Sequence, residues 1–399
     1  MKNTAFDNTP ASERIHIVFF GAVNSGKSSL MNAFASQDIS IVSDIKGTTT
    51  DPVKKSMELL PLGPVMLYDT AGYDDDTPAG ELRLKKTLEI LRKTDIAVLV
   101  SDSSEFPGKS DEKFISEFKR LDIPYIIVHS KSDISKEQKD CCENEISVSS
   151  KTGAGIDDLK KLICSIYLKR CENEKPLSLT SGIAERESLV ILVTPIDVSA
   201  PKGRIILPQV QTLRSLLDSY AITVTVQPEE ISAAMKLLNR APDLVVTDSQ
   251  VFSYVKDIIP ESVPLTSFSI LFARYKGVLS QALEGIDALK SLKDGDCVLI
   301  SEGCTHHRQC GDIGRDKLPL WIEKFSGKKL SYKFTSGGEF PADTSEFSLI
   351  VHCGGCMLNN REMEYRRLAA KAQGTPFTNY GTLIAAVNGI LERCTEFFK

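Results

Sequence analysis

The chain has 399 residues, of which 42% are apolar and 25% charged, and its formal net charge is −5. This composition is typical of a globular protein of two or three domains. The negative charge argues against a protein that binds nucleic acid mainly through its phosphates. No apolar run reaches the roughly 18 residues that span a bilayer, and the polar segment Met1–Arg14 lacks a signal-peptide core. We therefore expect a cytoplasmic protein with neither a membrane nor a nucleic-acid partner.

Residues 15 to about 170 alternate short apolar runs with segments of helical spacing. Runs of strand length bounded by polar or turn residues predict buried strands, and their alternation with helices predicts an α/β domain with a mostly parallel sheet. The predicted strands are Ile15–Phe20, Val65–Tyr68, Ile96–Val100 and Tyr125–Val128.

Directly after the first strand, Gly21–Ser28 has the GxxxxGKS pattern of a P-loop, and Ser29–Ala35 follows as a predicted helix. The glycines let backbone N–H groups point inward as an anion-binding nest, and the helix N-terminus adds positive potential. In this pattern Lys27 reaches the β- and γ-phosphates, and the Ser28 hydroxyl binds Mg²⁺. The predicted nucleotide-binding residues of this segment are Gly21, Asn24, Ser25, Gly26, Lys27, Ser28 and Ser29.

Two further polar segments complete a predicted γ-phosphate switch. Asp69-Thr70-Ala71-Gly72 follows the second strand, where Asp69 is placed to hold Mg²⁺ through water and the Gly72 N–H to contact the γ-phosphate. The loop 47–51 precedes it, and the Thr49 hydroxyl is the predicted additional Mg²⁺ ligand that orders this loop. Lys27, Thr49 and Gly72 are therefore the predicted catalytic residues.

Ser130-Lys131-Ser132-Asp133 at the end of the fourth strand predicts the base. The Asp133 carboxylate can accept hydrogen bonds from N1–H and the 2-amino group of guanine, and adenine offers neither. The later segment Ser149-Ser150-Lys151 is placed to close over the guanine oxygen with backbone N–H groups. The sequence thus predicts GTP and GDP as ligands, with Lys131, Asp133, Ser149, Ser150 and Lys151 at the base.

The rest of the chain predicts two more α/β segments. The polar stretch Lys169–Glu187 has no periodicity and predicts a linker. The second segment contains the predicted strands Ser188–Val193, Ile222–Val226, Leu244–Val246 and Val263–Leu265. In the third segment, the predicted strands Cys297–Ile300 and Phe347–Val351 each end just before a group of Cys and His residues.

These two groups are the candidate metal ligands, Cys304 with His306, and His352 with Cys353 and Cys356. Three kinds of site accept this pattern: a redox dithiol, a structural zinc ion, or an iron–sulfur cluster. Zinc is the commonest of these when the two groups are considered alone. His307 and Cys310 are less favoured ligands, and the remaining cysteines are scattered like ordinary small core residues.

The GTPase motifs resemble those of the TRAFAC class, and in particular the potassium-activated branch related to Era and MnmE. Asn24 matches the residue that coordinates K⁺ in that branch, so the resemblance implies K⁺-stimulated hydrolysis. Ser130 stands where the family usually has Asn, which implies weaker bracing of the nucleotide. Tyr73 stands where Ras-like enzymes carry a water-orienting Gln.

From about residue 14 to 395 the chain resembles the HydF-type FeFe-hydrogenase maturation GTPases, most specifically in its C-x-H and H-C-x-x-C groups. The resemblance implies a GTPase domain (1–172), a dimerisation domain (182–275) and an iron–sulfur domain (276–399). It also implies a [4Fe–4S] cluster on Cys304, Cys353 and Cys356, with His306, His352 or an exogenous group as exchangeable fourth ligand.

The function implied by this resemblance is that of a homodimeric GTP-hydrolysing scaffold, which carries a diiron precursor for assembly of the FeFe-hydrogenase active site, the H-cluster. The implied partners are radical-SAM hydrogenase maturases and apo FeFe-hydrogenase. The alternative is an RNA-binding ribosome-assembly GTPase with a C-terminal zinc module. Such modules usually carry a basic surface, whereas residues 301–399 hold 13 Lys and Arg against 11 Asp and Glu.

Overall fold

The computed structural model describes residues 9–36, 43–45, 53–71, 86–87, 89–102, 108–134, 143–173, 178–196, 205–304 and 313–398. The chain divides into two compact units, residues 1–176 and 177–399. Within the described ranges, no helix is both long and apolar enough to cross a bilayer.

The first unit contains a seven-stranded sheet with the strand order β2-β3-β4-β1-β5-β6-β7. The pairs β2–β3 and β3–β4 are antiparallel, and all other pairs are parallel. The strands are β1 (Ile15–Phe20), β2 (Ser43–Ile45), β3 (Val53–Leu59), β4 (Gly63–Asp69), β5 (Ile96–Asp102), β6 (Tyr125–Ser130) and β7 (Glu145–Ser147). The helices with fully described bounds are α1 (Lys27–Ser36), α2 (Lys109–Arg120) and α3 (Ile156–Asn173).

Strand β1 lies at the centre of this sheet because both of its faces are apolar. Phe19 packs in a core with Leu30 of α1, whereas Phe20 on the opposite face packs with Phe118 of α2. A parallel strand covered by helices on both faces needs such a continuous apolar run. The predicted α/β fold with a mostly parallel sheet is therefore confirmed, and β1 has the predicted bounds.

The predicted linker Lys169–Glu187 was wrong at its beginning, because helix α3 continues to Asn173. Arg170 explains this extension, since its guanidinium donates to the Asp122 carboxylate over 2.8 Å and to the Asp122 carbonyl over 2.6 Å. These contacts attach the last helical turn to the loop before β6, and a linear pattern of polar residues does not reveal them.

The second unit contains two four-stranded sheets, and every strand pair in both is parallel. The strand orders are β11-β10-β8-β9 and β13-β12-β14-β15. The strands are β8 (Leu189–Val193), β9 (Ile222–Val226), β10 (Leu244–Thr247), β11 (Leu265–Ser267), β12 (Cys297–Glu302), β13 (Ser331–Ser336), β14 (Leu349–His352) and β15 (Phe377–Asn379). The helices are α4 (Leu207–Asp218), α5 (Ile231–Leu237), α6 (Phe252–Ile258), α7 (Phe268–Tyr275), α8 (Leu279–Ser291), α9 (Leu318–Ser326), α10 (Asn360–Ala372), α11 (Tyr380–Val387) and α12 (Leu391–Thr395).

One hydrophobic core joins the two sheets of this unit. Ile191 and Val245 of the first sheet belong to the same buried cluster as Ile300 and Val351 of the second. The segments 182–275 and 276–399 therefore share a core, although each has its own sheet.

Two predicted strands were displaced toward their C-termini. Strand β11 includes Thr266 and Ser267, because the Thr266 hydroxyl donates to the Cys394 carbonyl over 3.1 Å and the Ser267 hydroxyl caps α7. Strand β14 includes His352, which pairs with Ser301 on one side and Asn379 on the other. Polar residues with satisfied hydrogen bonds thus extend both strands beyond their apolar runs.

Candidate nucleotide site and thiol cluster

The P-loop connects β1 to α1 and curls back on itself. Gly21, Asn24 and Gly26 have φ angles of +154°, +62° and +93°. A Cβ at Gly21 would collide with the Val100 carbonyl oxygen of the neighbouring strand β5, so only glycine fits there. The Lys27 ammonium donates to the Gly21 carbonyl over 2.9 Å and to the Ala22 carbonyl over 2.5 Å. The loop thereby holds the lysine inside the anion-binding curl that the sequence predicted.

The predicted Mg²⁺ residues come together at the mouth of this loop. The Ser28 hydroxyl of α1 donates to the Asp69 carboxylate at the end of β4 over 2.5 Å. The Thr70 hydroxyl donates to the Phe19 carbonyl over 2.8 Å, which fixes the end of β4 against β1. Burial raises the pKa of Asp69, against the opposing effects of the Ser28 hydrogen bond and the Lys27 charge.

Two buried polar atoms at this mouth point to a ligand. Among the described side chains, Ser25 Oγ and Asp69 Oδ1 are buried without a hydrogen-bond partner. Buried polar atoms are normally satisfied, and a Mg²⁺-bound nucleotide supplies groups that satisfy both. Thr49 and Gly72, the other two predicted catalytic residues, lie outside the described residues, as do Tyr73 and the loop 47–51.

Ser130 contacts the P-loop even though it is shorter than the asparagine that is usual at this position. Its buried hydroxyl lies 2.7 Å from the Ser25 carbonyl and 3.1 Å from the Ser101 carbonyl. A single hydroxyl proton donates to one of these at a time, and the shorter distance favours Ser25. The serine therefore keeps a direct link between the end of β6 and the phosphate loop.

Asp133 is positioned by Ser149, which is a role that the sequence did not indicate. The buried Ser149 hydroxyl donates to the Asp133 carboxylate over 2.7 Å and accepts from the Thr152 N–H over 3.2 Å. Lys131 adopts a positive φ of 59° in the turn before Asp133. The loop after β7 thus orients the carboxylate that we expect to bind guanine, and Ser150 and Lys151 follow in the same loop.

We expect Asp133→Asn to lower the affinity for GTP by about 10²- to 10⁴-fold, because two hydrogen bonds to a charged acceptor, about 1.5–3 kcal/mol each, are lost. An amide N–H suits the 2-carbonyl of xanthine, so the variant should prefer XTP. Competition of both nucleotides against a fluorescent GDP analogue measures this. Asp158→Asn, whose carboxylate is 69% exposed in a surface ion pair with Lys161, is the control. Unchanged GTP affinity in Asp133→Asn would place the base elsewhere.

In the second unit, three thiols meet beyond the C-terminal ends of β12 and β14. Ser301 pairs with His352 between these strands, so the following residues leave the sheet at the same edge. Burial, and to a smaller extent the neighbouring thiols of Cys353 and Cys304, raise the pKa of Cys356 to about 12. The structure therefore brings together the three cysteines that the sequence singled out.

Backbone N–H groups surround the central thiol. Cys353 Sγ accepts from the Gly303 N–H over 3.0 Å and from the Gly355 N–H over 3.4 Å. Burial raises the pKa of Cys353, and these two hydrogen bonds oppose that effect. A Cβ at Gly303 would meet the Leu358 side chain at 2.8 Å, so glycine is required for the close approach. N–H groups directed at a sulfur suit a thiolate that binds iron.

Both ring nitrogens of His352 already have partners. Nδ1 lies 2.7 Å from the Cys353 carbonyl, and Nε2 lies 3.0 Å from a guanidinium nitrogen of Arg366. Burial, assisted by the Arg366 charge, lowers the pKa of His352 to about 3. The neutral ring therefore carries its proton on Nδ1 and accepts at Nε2. In this arrangement no lone pair of His352 is directed at the thiols.

The remaining predicted ligand of the metal site, His306, lies outside the described residues, as do the less favoured candidates His307 and Cys310. Within the described ranges, no group of three or more His, Cys, Asp or Glu side chains is arranged to hold a single metal ion. A cluster does not require such a group, because its thiolates bind different iron atoms.

Two basic residues near the thiols were missed by the sequence interpretation. Lys276, directly after α7, is 9% exposed, and its ammonium donates to the Leu358 carbonyl over 2.9 Å. Its charge opposes the rise in the pKa of Cys356. Arg366 of α10 is completely buried beside His352. Neither residue lies near a cysteine in the sequence, so no local motif indicates them.

Models of known families match three stretches of the chain. The 50S ribosome-binding GTPase model matches residues 16–131, which include the P-loop and Asp69. The hydrogen maturase F dimerization domain matches residues 179–277, and the hydrogen maturase F tetramerization domain matches residues 280–397.

Curated relatives are similar to about two fifths of the chain. The tRNA modification GTPase MnmE of Laribacter hongkongensis is 32% identical over 165 residues, which are 40% of this chain and 36% of that protein. The MnmE of Endomicrobium trichonymphae is 37% identical over 161 residues, 38% of this chain and 35% of that protein. The chain thus spans about a third of the length of these relatives.

Among solved structures, the G domain of the T. maritima FeoB iron transporter is 21% identical to this chain, with a TM-score of 0.29. The match covers 39% of this chain and 99% of that chain.

The two hydrogen maturase F models together cover more than half of the chain and include all three thiols. Both models describe oligomerisation domains, which supports the expectation of an oligomer. The GTPase model covers the P-loop that precedes them. The chain therefore belongs to the HydF-type hydrogenase maturation GTPases.

Proposed function

We propose that this chain is a GTP-hydrolysing scaffold that binds a [4Fe–4S] cluster and carries a diiron precursor for assembly of the FeFe-hydrogenase active site. The observation that carries the proposal is the presence, in one chain, of a P-loop and of three neighbouring thiols within the hydrogen maturase F tetramerization domain. A nucleotide switch joined to a soft-ligand site suits the controlled delivery of a metal fragment.

The nucleotide site supports a switch that is regulated by the γ-phosphate. The Ser28 hydroxyl, the expected direct Mg²⁺ ligand, donates to Asp69, which we expect to hold the ion through water. The two side chains therefore already lie together, and Ser28 keeps a lone pair for the ion. Asn24 is an exposed residue of the P-loop, and we propose that it coordinates a K⁺ ion near the phosphates that stimulates hydrolysis. We propose that hydrolysis controls the exchange of partners and does not drive the chemistry at iron.

The thiol site supports a cluster with one exchangeable position. Cys304, Cys353 and Cys356 would hold three of the iron atoms, whereas His352 uses both of its nitrogens in other hydrogen bonds. The fourth ligand we propose is thus His306 or a group from outside the chain. An iron atom with such a ligand can bridge to a delivered fragment. The partners that this role requires are radical-SAM maturases and apo FeFe-hydrogenase, and we propose that the chain meets them in the cytoplasm as a homo-oligomer.

Anaerobic reconstitution of the full chain with ferrous iron and sulfide tests this proposal. We expect about four iron atoms per chain and an EPR signal typical of a reduced [4Fe–4S] cluster. After loading by the maturases, the chain should activate apo FeFe-hydrogenase. A preparation that retains one zinc ion per chain and takes up no iron–sulfur cluster would contradict the proposal and favour a structural zinc site.

A further inference from the structure

Arg366 is a charged residue that is buried more deeply than its position on a polar helix suggests. It lies on α10, where most neighbouring residues are charged or small, yet its side chain is 0% exposed. Burial of a guanidinium is unfavourable unless every N–H group finds a partner. The hydrogen-bond partners of Arg366 therefore indicate the role of this buried side chain.

The guanidinium donates to groups on four different elements. Its Nε lies 3.0 Å from the Glu362 carboxylate one turn earlier on α10. Its Nη1 lies 3.0 Å from His352 Nε2 on β14 and 3.4 Å from the Ser301 hydroxyl on β12. Its Nη2 donates to the Gly337 carbonyl, just after β13, over 2.7 Å. One planar group thus connects a helix to the C-terminal ends of three adjacent strands.

Two of these contacts lead directly to the thiols. Because His352 accepts from Arg366 at Nε2, its proton stays on Nδ1 and is donated to the Cys353 carbonyl over 2.7 Å. Ser301 pairs with His352 and accepts the Cys353 N–H at its own carbonyl over 2.9 Å. The backbone of Cys353 is therefore held on both sides by residues that Arg366 contacts. Ser301 also precedes Cys304 by three residues on its own chain segment.

We propose that Arg366 is a positioning residue of the thiol site. It holds the ends of β12 and β14 in register and fixes the Nδ1–H tautomer of His352. These two effects direct Cys304 and Cys353 toward a common cluster. This inference rests on the proposed cluster-binding function.

A purely structural ion pair with Glu362 is the competing explanation. Removal of Arg366 alone leaves the Glu362 carboxylate buried and unpaired, and this is expected to destabilise any protein. The double variant Arg366→Met/Glu362→Met removes both charges, and replacement of a buried ion pair by apolar side chains is often neutral or stabilising. We expect the double variant to keep the fold while it removes the contacts to His352 and Ser301.

The experiment compares the wild-type full chain, the double variant, Arg366→Lys and Arg367→Met after anaerobic reconstitution. Arg366→Lys keeps a cation beside Glu362 but cannot reach His352 and Gly337 together, so it decides the question if the double variant unfolds. Arg367→Met changes the neighbouring arginine of the same helix and is the control. Circular dichroism measures folding, a ferrous chelator measures the rate of iron loss, and EPR records the reduced cluster.

We expect the double variant and Arg366→Lys to fold and to show altered EPR g-values. Both should lose iron about 10- to 100-fold faster than the wild type, because removal of a residue that orients a metal ligand usually weakens metal binding by such a factor. In the apo chain, ¹⁵N-histidine NMR should show that His352 no longer has a fixed Nδ1–H tautomer. Wild-type iron loss and g-values in either folded variant would overturn the positioning role. Failure of the wild type to take up any cluster would instead contradict the proposed function itself.

Discussion

Lys27→Ala should lower GTP hydrolysis by about 10²-fold or more, the usual effect of removing a group that stabilises transition-state charge, while iron–sulfur loading stays unchanged. The Lys27 ammonium lies inside the P-loop against the Gly21 and Ala22 carbonyls, where it would reach the β- and γ-phosphates. The thiols belong to the other compact unit, with its own core. The folding of the cluster site therefore does not depend on this lysine.

Phosphate release measures the first effect, and iron and sulfide per chain after reconstitution measure the second. Lys161→Ala is the matched control, because this lysine is 78% exposed and forms only a surface ion pair with Asp158. The control should hydrolyse GTP at the wild-type rate. Hydrolysis retained in Lys27→Ala would contradict the assignment of the P-loop, and loss of both properties would show that the two units do not fold independently.

Cys353→Ser should lower the iron content from about four atoms to fewer than about one per chain, and remove the EPR signal of the reduced cluster. Cys353 is the thiol that accepts N–H groups from both Gly303 and Gly355. A serine hydroxyl ionises far less readily than a thiol and binds iron weakly, and its oxygen lies closer to the backbone than a sulfur does. Two remaining thiols do not hold a cluster firmly.

Cys171→Ser provides the comparison for this loss. Cys171 is a half-buried thiol on α3 of the first unit, and no motif or contact assigns it to the cluster. The substitution should leave iron content and spectrum as in the wild type. A Cys353→Ser protein with four iron atoms and an unchanged spectrum would remove this residue from the ligand set, and equal losses in both variants would indicate nonspecific iron binding.

Strands buried on both faces were the most predictable elements. β1 has the predicted bounds, and β5 and β6 extend the predicted runs by two residues at their C-terminal ends. Apolar runs bounded by turn residues identify such strands, because a covered parallel sheet tolerates few polar side chains. Strand β13 was not predicted, since its residues are half exposed at the edge of the sheet and alternate with polar ones. Its pairing with β12 determines its conformation.

The residues that we expect to touch the cofactors were visible in the sequence, whereas the roles of the residues that orient them were not. Lys27, Asp133 and the three cysteines lie in short motifs whose spacing reflects direct contact with a ligand. Ser149 and Arg366 act through other side chains that the fold brings from 16 and 14 positions away, at Asp133 and His352. Such contacts have no fixed spacing, because they depend on which strands become neighbours.

The order of motifs along the chain therefore determined the nucleotide class, the α/β architecture and the three candidate thiols, because each depends on local pattern or direct ligand chemistry. Tertiary structure alone decided that His352 is a neutral hydrogen-bonding residue whose nitrogens are already used. It also decided that a completely buried arginine holds the ends of the strands that carry the thiols. The physical reason is that the roles of His352 and Arg366 are set by hydrogen bonds across strands β12 and β14, and these form only after the sheet has assembled.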